Sequence, residues 1–174
     1  MKSYEIHRAS APSKIRCSVV TVSTSRYIEA SKGHKLDDVS GLKIAEKLMK
    51  NGYIVASRKI VSDDIGMIRK ETLRSIYEEG CSVVVLTGGT GVASSDVTVE
   101  ALSSLFDKEL PGFGEIFRAQ TFLKAKGVAL ISRAKAGIIA SSIVFCLPGS
   151  PDAVNTALDI MVDELPHIVK HARE

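Results

Sequence analysis

No apolar run in this sequence approaches the length that crosses a bilayer, and the first fifteen residues, polar and broken by Pro12, lack the apolar centre of a signal peptide. Both absences predict a cytoplasmic protein with no membrane contact. Aromatic residues amount to 5%, and the formal net charge is +3 with the Lys and Arg side chains spread out, so no basic stripe interleaved with aromatics is there to hold nucleic acid. Small anionic ligands suit this balance better. Cysteine is confined to Cys17, Cys81 and Cys146, each inside an apolar run and at spacings that match neither a metal site nor a disulfide framework. They read as small buried strand residues in a reducing compartment rather than as nucleophiles. His7, His34, His167 and His171 are scattered in polar or terminal contexts that suggest surface positions. Two familiar phosphate motifs are missing as well. There is no Gly-Lys-Ser/Thr of a P-loop, and a dinucleotide fingerprint starting at Gly89 would need glycine or alanine where Ser94 stands.

What is present is 45% apolar and 25% charged residues over 174 positions, the balance of a single domain with a substantial core. That domain spans residues 15–174, and residues 1–14 form a polar, flexible arm or one that docks on a neighbouring subunit. Ile15 to Val22 is β-branched and apolar and predicts a buried strand that runs into the Ser/Thr cluster ending at Ser25. A polar loop spans Arg26 to Asp38. Ser40 opens a helical pattern with Leu42, Ala45, Leu48 and Met49 on one face, stopped by Asn51-Gly52, where glycine fits the left-handed position. Tyr53 to Val61 predicts a second strand, and Ser62-Asp63-Asp64 offers N-caps to a helix carrying Ile65, Ile68, Leu73 and Ile76 as far as Gly80. Cys81 to Thr87 is a third strand, almost wholly apolar. This alternation predicts an α/β fold: a three-layer, doubly wound, mostly parallel sheet with helices on both faces.

Beyond the third strand, Asp96 or Thr98 can cap a short helix through Leu105, Phe106 to Gly112 reads as a turn-rich crossing, and a helix follows from about Gly114 to Lys124. Val128 to Ile131, Gly137 to Ile139 and Ser142 to Leu147 are too close together for helical crossovers and predict a short antiparallel pair at one edge. Ser150 at the N-cap, Pro151 at the first helical position and Asp152 in the first turn start another helix, and Pro166 to His171 forms a last one.

The third strand runs straight into Gly88-Gly89-Thr90-Gly91, at the carboxyl end of a parallel strand, where open α/β sheets bind ligands. Glycines there let backbone N–H groups approach phosphate oxygens, and Thr90 can add a hydroxyl; the same four residues also make a tight turn with no ligand. Asp96 favours the phosphate reading, because a carboxylate so close would be repelled by phosphates unless a cation lay between them, and Mg²⁺ is the natural bridge. Asp63, leaving the second strand, reaches the same edge and could share that cation. Both aspartates read alternatively as helix caps. Gly149-Ser150 delivers a helix N-terminus that favours an anion, or is simply a well-made turn. Ser23 and Arg26 come off the first strand at the same edge, where Arg26 could make a forked contact to phosphate; exposed loop arginines, Arg118 and Arg133 included, are usually only solvated.

Leu86-Thr87-Gly88-Gly89-Thr90-Gly91, followed by Asp96-Val97-Thr98 and Glu100-Ala101, resembles the signature of the MoaB/MogA family of molybdenum cofactor biosynthesis proteins and the gephyrin G domain. The resemblance extends through Pro111-Gly112-Phe113-Gly114-Glu115, Ile131-Ser132-Arg133-Ala134 and Leu147-Pro148-Gly149-Ser150-Pro151, and back to Ser23-Thr24-Ser25-Arg26 and Ser40-Gly41, so it covers nearly the whole chain after residue 14. It implies a molybdopterin-binding α/β domain that assembles as a homotrimer or a homohexamer of paired trimers. It also implies Mg²⁺-dependent transfer of AMP from ATP to the terminal phosphate of molybdopterin, release of pyrophosphate, and hand-over of the product to a molybdenum-insertion enzyme. By position, Asp63 and Asp96 match the family's catalytic, metal-holding carboxylates, Gly88 to Gly91 its phosphate loop, and Ser150 its pterin-side loop. The attacking group in that reaction is already a phosphate oxygen, so the absence of a Ser/His or Cys/His pair is expected. The chain departs from the family pattern at Val99, where many members carry proline, and at Ser94-Ser95, where charged residues are frequent. A non-catalytic protein that binds molybdopterin and passes it on is the alternative.

Overall fold

The computed structural model describes residues 14–34 and 37–174, so the expected N-terminal arm, apart from Lys14, and His7 lie outside the described residues. Strands β1 (Arg16–Val22), β2 (Ile54–Val61), β3 (Val83–Thr87), β4 (Lys108–Glu109), β5 (Lys135–Ile139) and β6 (Ser142–Leu147) form one sheet in the order β2-β1-β3-β6-β5-β4. The first four in that order are parallel neighbours, and β5 and β4 close the edge antiparallel. Successive side chains of a strand point to opposite faces. Thus Cys17, Val19, Val83, Val85, Ile143 and Phe145 enter one core, while Val20, Val84, Leu86, Val144 and Cys146 enter the other. Two buried faces are the reason β3 and β6 read as nearly unbroken apolar runs.

The helices are α1 (Thr24–Ser31), α2 (Val39–Lys50), α3 (Ile65–Tyr77), α4 (Thr98–Ser103), α5 (Pro111–Lys124), α6 (Lys126–Ile131), α7 (Pro151–Met161) and α8 (Leu165–Arg173). On one face α2, α5, α7 and α8 contribute Ile44, Leu48, Phe117, Val154 and Leu165; on the other, α3 and α4 contribute Ile68, Ile76 and Leu102. From β1 the chain passes to β2 on one side and then to β3 on the other side of β1. Connections leave in opposite directions there, which opens a crevice at the carboxyl ends of β1 and β3. Among the described residues no helix is long and apolar enough to cross a membrane.

Several local expectations are corrected. Within the expected loop Arg26 to Asp38 lies α1, capped by Ser23, and none of its side chains is buried. Such a helix carries no apolar stripe for the sequence to display. Helix α2 begins at Asp38, whose carboxylate accepts the Gly41 N–H at 3.0 Å, rather than at Ser40. Its buried stripe is Gly41, Ile44, Ala45 and Leu48, at the three-and-four spacing of one helix face, while Leu42 and Met49 are exposed. Gly52 does take the left-handed conformation, at φ 82°. Val128 to Ile131 is helical rather than extended, because four apolar residues in a row satisfy either period and only Ala129 of α6 is buried. Helix α5 starts at Pro111, and the two-residue β4 falls inside the expected crossing.

All three cysteines are free and buried, and desolvation pushes the thiols of Cys17 and Cys146 up to about 12 and that of Cys81 to about 11. The thiolate is the reactive form, so the folded protein at pH 8 is expected to resist a thiol-specific dye that labels all three cysteines in denaturant. Rapid labelling of the native protein would contradict this burial.

Candidate functional site

Three loops meet at the crevice, and backbone hydrogen bonds set their relative heights. The Ser23 N–H donates to Val61 O at 2.9 Å, the Gly88 N–H to Leu147 O at 3.0 Å, and the Thr87 hydroxyl to Pro148 O at 3.0 Å. The ends of β1, β2, β3 and β6 are thereby stitched to one another. A cleft of about 480 Å³ lies above them, lined by Ser23, Arg26, Gly88 to Gly91, Asp96, Pro148, Gly149 and Ser150, with Phe117, Thr121, Val128, Ile131 and Ala153 along its apolar side. Nine of the ten residues singled out from the sequence line this one cleft; Asp63 does not.

The glycine loop cannot be built from other residues. Gly88 has φ 106°, and an added Cβ would collide with the carbonyl oxygen of Val22. Thr98 then fastens the turn from above, its N–H donating to Gly89 O at 2.9 Å and its hydroxyl to Gly88 O at 2.8 Å. Carbonyls are thus consumed on the protein side. Among the described residues nothing accepts a hydrogen bond from the amides of Gly89, Thr90 or Gly91. Three consecutive unpaired donors at a strand end are what an anion requires.

Neither aspartate caps the helix that follows it. Helix α4 starts after Val97 with no side-chain cap, Thr98 being its first residue, and α3 is capped by Asp64. Asp96 Oδ2 instead accepts the Ala93 N–H at 2.9 Å and stands 2.7 Å from where a Cβ on Gly91 would lie. Asp63 Oδ2 accepts the N–H and the hydroxyl of Thr24 at 2.7 and 2.8 Å, leaving Oδ1 3.2 Å from the corresponding point on Gly89. The two carboxylates therefore flank the same four-residue loop, one at each end. Among the described residues no group of three or more His, Cys, Asp or Glu side chains is placed to hold a metal. That donor set fits Mg²⁺, which keeps its waters and takes one or two carboxylates together with substrate phosphates, better than a metal caged by protein.

Beside the glycine loop, where Gly149 packs against Gly88, Ser150 accepts the Ala153 N–H and Pro151 follows at the first helical position, so the N-terminal end of α7 lies at the cleft. The Ser40 hydroxyl holds this loop through Gly149 O at 2.8 Å. Arg26 sits in the first turn of α1 rather than in a loop, and its Nε donates to Asp37 O at 2.9 Å. Arg118 lines a separate recess with Ala134 and Lys135. Among the histidines His34 and His171 are exposed and bond to Glu29 and Glu174, whereas His167 is half-buried against His171.

Sequence reasoning missed the apolar side of the cleft and Arg133. Phe117 and Thr121, four residues apart, share one face of α5, which helical spacing alone could have placed together. Arg133, taken as a solvated arginine, donates from Nε to Gly91 O at 2.8 Å and from Nη2 to Asp96 O at 3.0 Å, and pairs with the Glu100 carboxylate. That hydrogen-bonded pairing holds the Glu100 carboxyl below the usual carboxylate range and raises the Arg133 guanidinium above its own.

A family model described as "Probable molybdopterin binding domain" matches residues 18–167. The chain is similar to "Molybdenum cofactor biosynthesis protein B" of Bacillus subtilis, at 40% identity over 174 residues that cover 99% of this chain and 98% of the relative. It is 43% identical, over 98% of each chain, to the "Molybdopterin adenylyltransferase" of Pyrococcus furiosus. Among solved structures, the "tungsten cofactor synthesizing protein MoaB" from Pyrococcus furiosus superposes with a TM-score of 0.79 at 42% identity, covering 94% of this chain and 100% of that one.

Proposed function

Because the chain belongs to the MoaB/MogA family of molybdenum cofactor biosynthesis proteins, we propose that it is a nucleotidyltransferase that moves AMP from ATP onto the terminal phosphate of molybdopterin. The observation that carries this reading is the row of unpaired amides at Gly89, Thr90 and Gly91, set between Asp63 and Asp96 on the edge of one cleft. Those amides take the oxygens of the ATP phosphates. The N-terminus of α7, opened by Ser150 next to the glycine loop, takes the pterin phosphate, and the apolar lining around Phe117, Val128 and Ile131 receives an aromatic ring. Two anionic substrates are thus held side by side in one cleft, and the pterin phosphate oxygen attacks the α-phosphorus in line as pyrophosphate leaves.

Asp96 and, from outside the cleft, Asp63 would hold Mg²⁺, whose charge would offset that developing on the leaving pyrophosphate. Ser23 and Arg26 close the ATP side. The carrying unit is residues 15–174, and self-assembly into trimers or hexamers is supported by the apolar side chains of Phe122, Leu123, Leu130 and Ile131, which stay exposed on α5 and α6. Three free thiols suit a reducing cytoplasm, where the adenylylated product would pass to a molybdenum-insertion enzyme. Purified protein given ATP, Mg²⁺ and molybdopterin is expected to release pyrophosphate and yield adenylylated pterin, followed by mass spectrometry. Demonstrable pterin binding with no product would leave the carrier reading in its place.

A further inference from the structure

We propose that Arg133 is a positioning residue for Asp96, its guanidinium setting the loop that bears both that carboxylate and the phosphate-binding amides; the inference rests on the adenylyl-transfer reading of the same cleft. Val92, Ala93, Ser94 and Ser95 form an exposed excursion between Gly91 and Asp96. Inside it only two hydrogen bonds hold the shape, Asp96 N to Ala93 O at 3.0 Å and Ala93 N to Asp96 Oδ2 at 2.9 Å. The second of these is accepted by the carboxylate proposed to meet the cation.

Arg133 ties both feet of the excursion at once. Nε donates to Gly91 O at 2.8 Å and Nη2 to Asp96 O at 3.0 Å, and the Glu100 carboxylate on α4 braces the far side of the guanidinium. A planar fork with five donors can satisfy two carbonyls and a carboxylate together, whereas a lysine ammonium on a flexible stem cannot hold the same three acceptors. Arg133 does not line the substrate cleft; it lines a neighbouring recess of about 350 Å³ with Val92, Ala93, Ser94, Asp96, Val97 and Glu100. It therefore acts through the loop and not on substrate. Its position also links the loop to the α6 end of the cleft, since the preceding Val128, Ile131 and Ser132 line it.

A displacement of the carboxylate by about 1 Å costs on the order of 100-fold in rate. Arg133→Ala and Arg133→Lys are expected to lower kcat about 10- to 100-fold with the KM for molybdopterin within about twofold. In an Asp96→Asn background, Arg133→Ala should add no further loss, because both changes remove one function. A double variant slower by the product of the single effects, as a merely structural role would give, overturns the proposal. Amide hydrogen exchange supplies a readout that does not depend on turnover. The Ala93 and Asp96 amides, the two that bond inside the loop, should exchange at least about 10-fold faster in either Arg133 variant while the strands keep their protection, and unchanged exchange there overturns the proposal even if the wild type is inactive. A wild type that binds pterin without turnover overturns the adenylyl-transfer reading, and with it the catalytic half of this inference, leaving exchange to judge the clamp.

Discussion

An Asp96→Asn protein is expected to bind molybdopterin as tightly as its parent and to transfer AMP about 100-fold more slowly, a loss of about 3 kcal/mol of transition-state stabilisation. Asparagine keeps a side-chain oxygen to accept the Ala93 N–H, which is 2.9 Å from Asp96 Oδ2, so the shape of the loop survives and only the charge is lost. Asp63 offers no such clean test. Its Oδ2 accepts two hydrogen bonds from Thr24, and altering it would disturb the start of α1 together with any effect on a cation. Single-turnover pyrophosphate release measures the rate, and titration with molybdopterin measures the affinity. A carrier has no rate to lose, and a variant that still turns over within about threefold of the parent would remove Asp96 from the chemistry.

Gly88→Ala is expected to cost about 3 kcal/mol of stability and to abolish nucleotide binding. Two effects add: a residue with a Cβ at φ 106° is strained, and that Cβ meets the Val22 carbonyl, which is backbone and cannot rotate away. In a chain of 174 residues, 3 kcal/mol lowers Tm by roughly 10 °C. Relief requires β1 and β3 to part at the Gly88 level, which carries the amides of Gly89 to Gly91 away from the phosphates. Gly112→Ala is the control, since a Cβ there meets nothing within 4 Å. Thermal unfolding and an ATP titration on both variants check the prediction; wild-type Tm and affinity in Gly88→Ala would mean that the turn is not strained as described.

Legibility along the chain followed the physics of burial. β1, β3 and β6 could be read directly because both their faces are covered, so apolar residues dominate them with only small polar ones such as Ser18, Thr21 and Ser142 buried among them. α7 could be read from Ser150 and Pro151 because capping is a local contest between a side chain and backbone amides three residues away. α1 escaped because none of its side chains is buried, and α6 was taken for a strand because a run of four apolar residues fits either period. Arg133 escaped for another reason. Nothing in its sequence neighbours shows that Gly91 O and Asp96 O, 42 and 37 positions away, will need donors.

By itself, then, the sequence determined the main strands and helices, the sheet class and the glycine loop with its flanking Asp63 and Asp96, since periodicity, caps and turn glycines act within a few residues. Tertiary structure decided how these parts meet. The switch in strand order between β1 and β3 put Ser23, Gly88 to Gly91 and Ser150 around one cleft, and it left Asp63 beside that cleft, bound to Thr24. The glycine loop was ambiguous as a sequence because a tight turn and an anion cradle use the same residues. Only the folded chain shows that the loop's carbonyls are taken by Thr98 and Arg133 and the Gly88 amide by Leu147 while the next three amides remain unpaired, because those partners arrive from separate strands and helices.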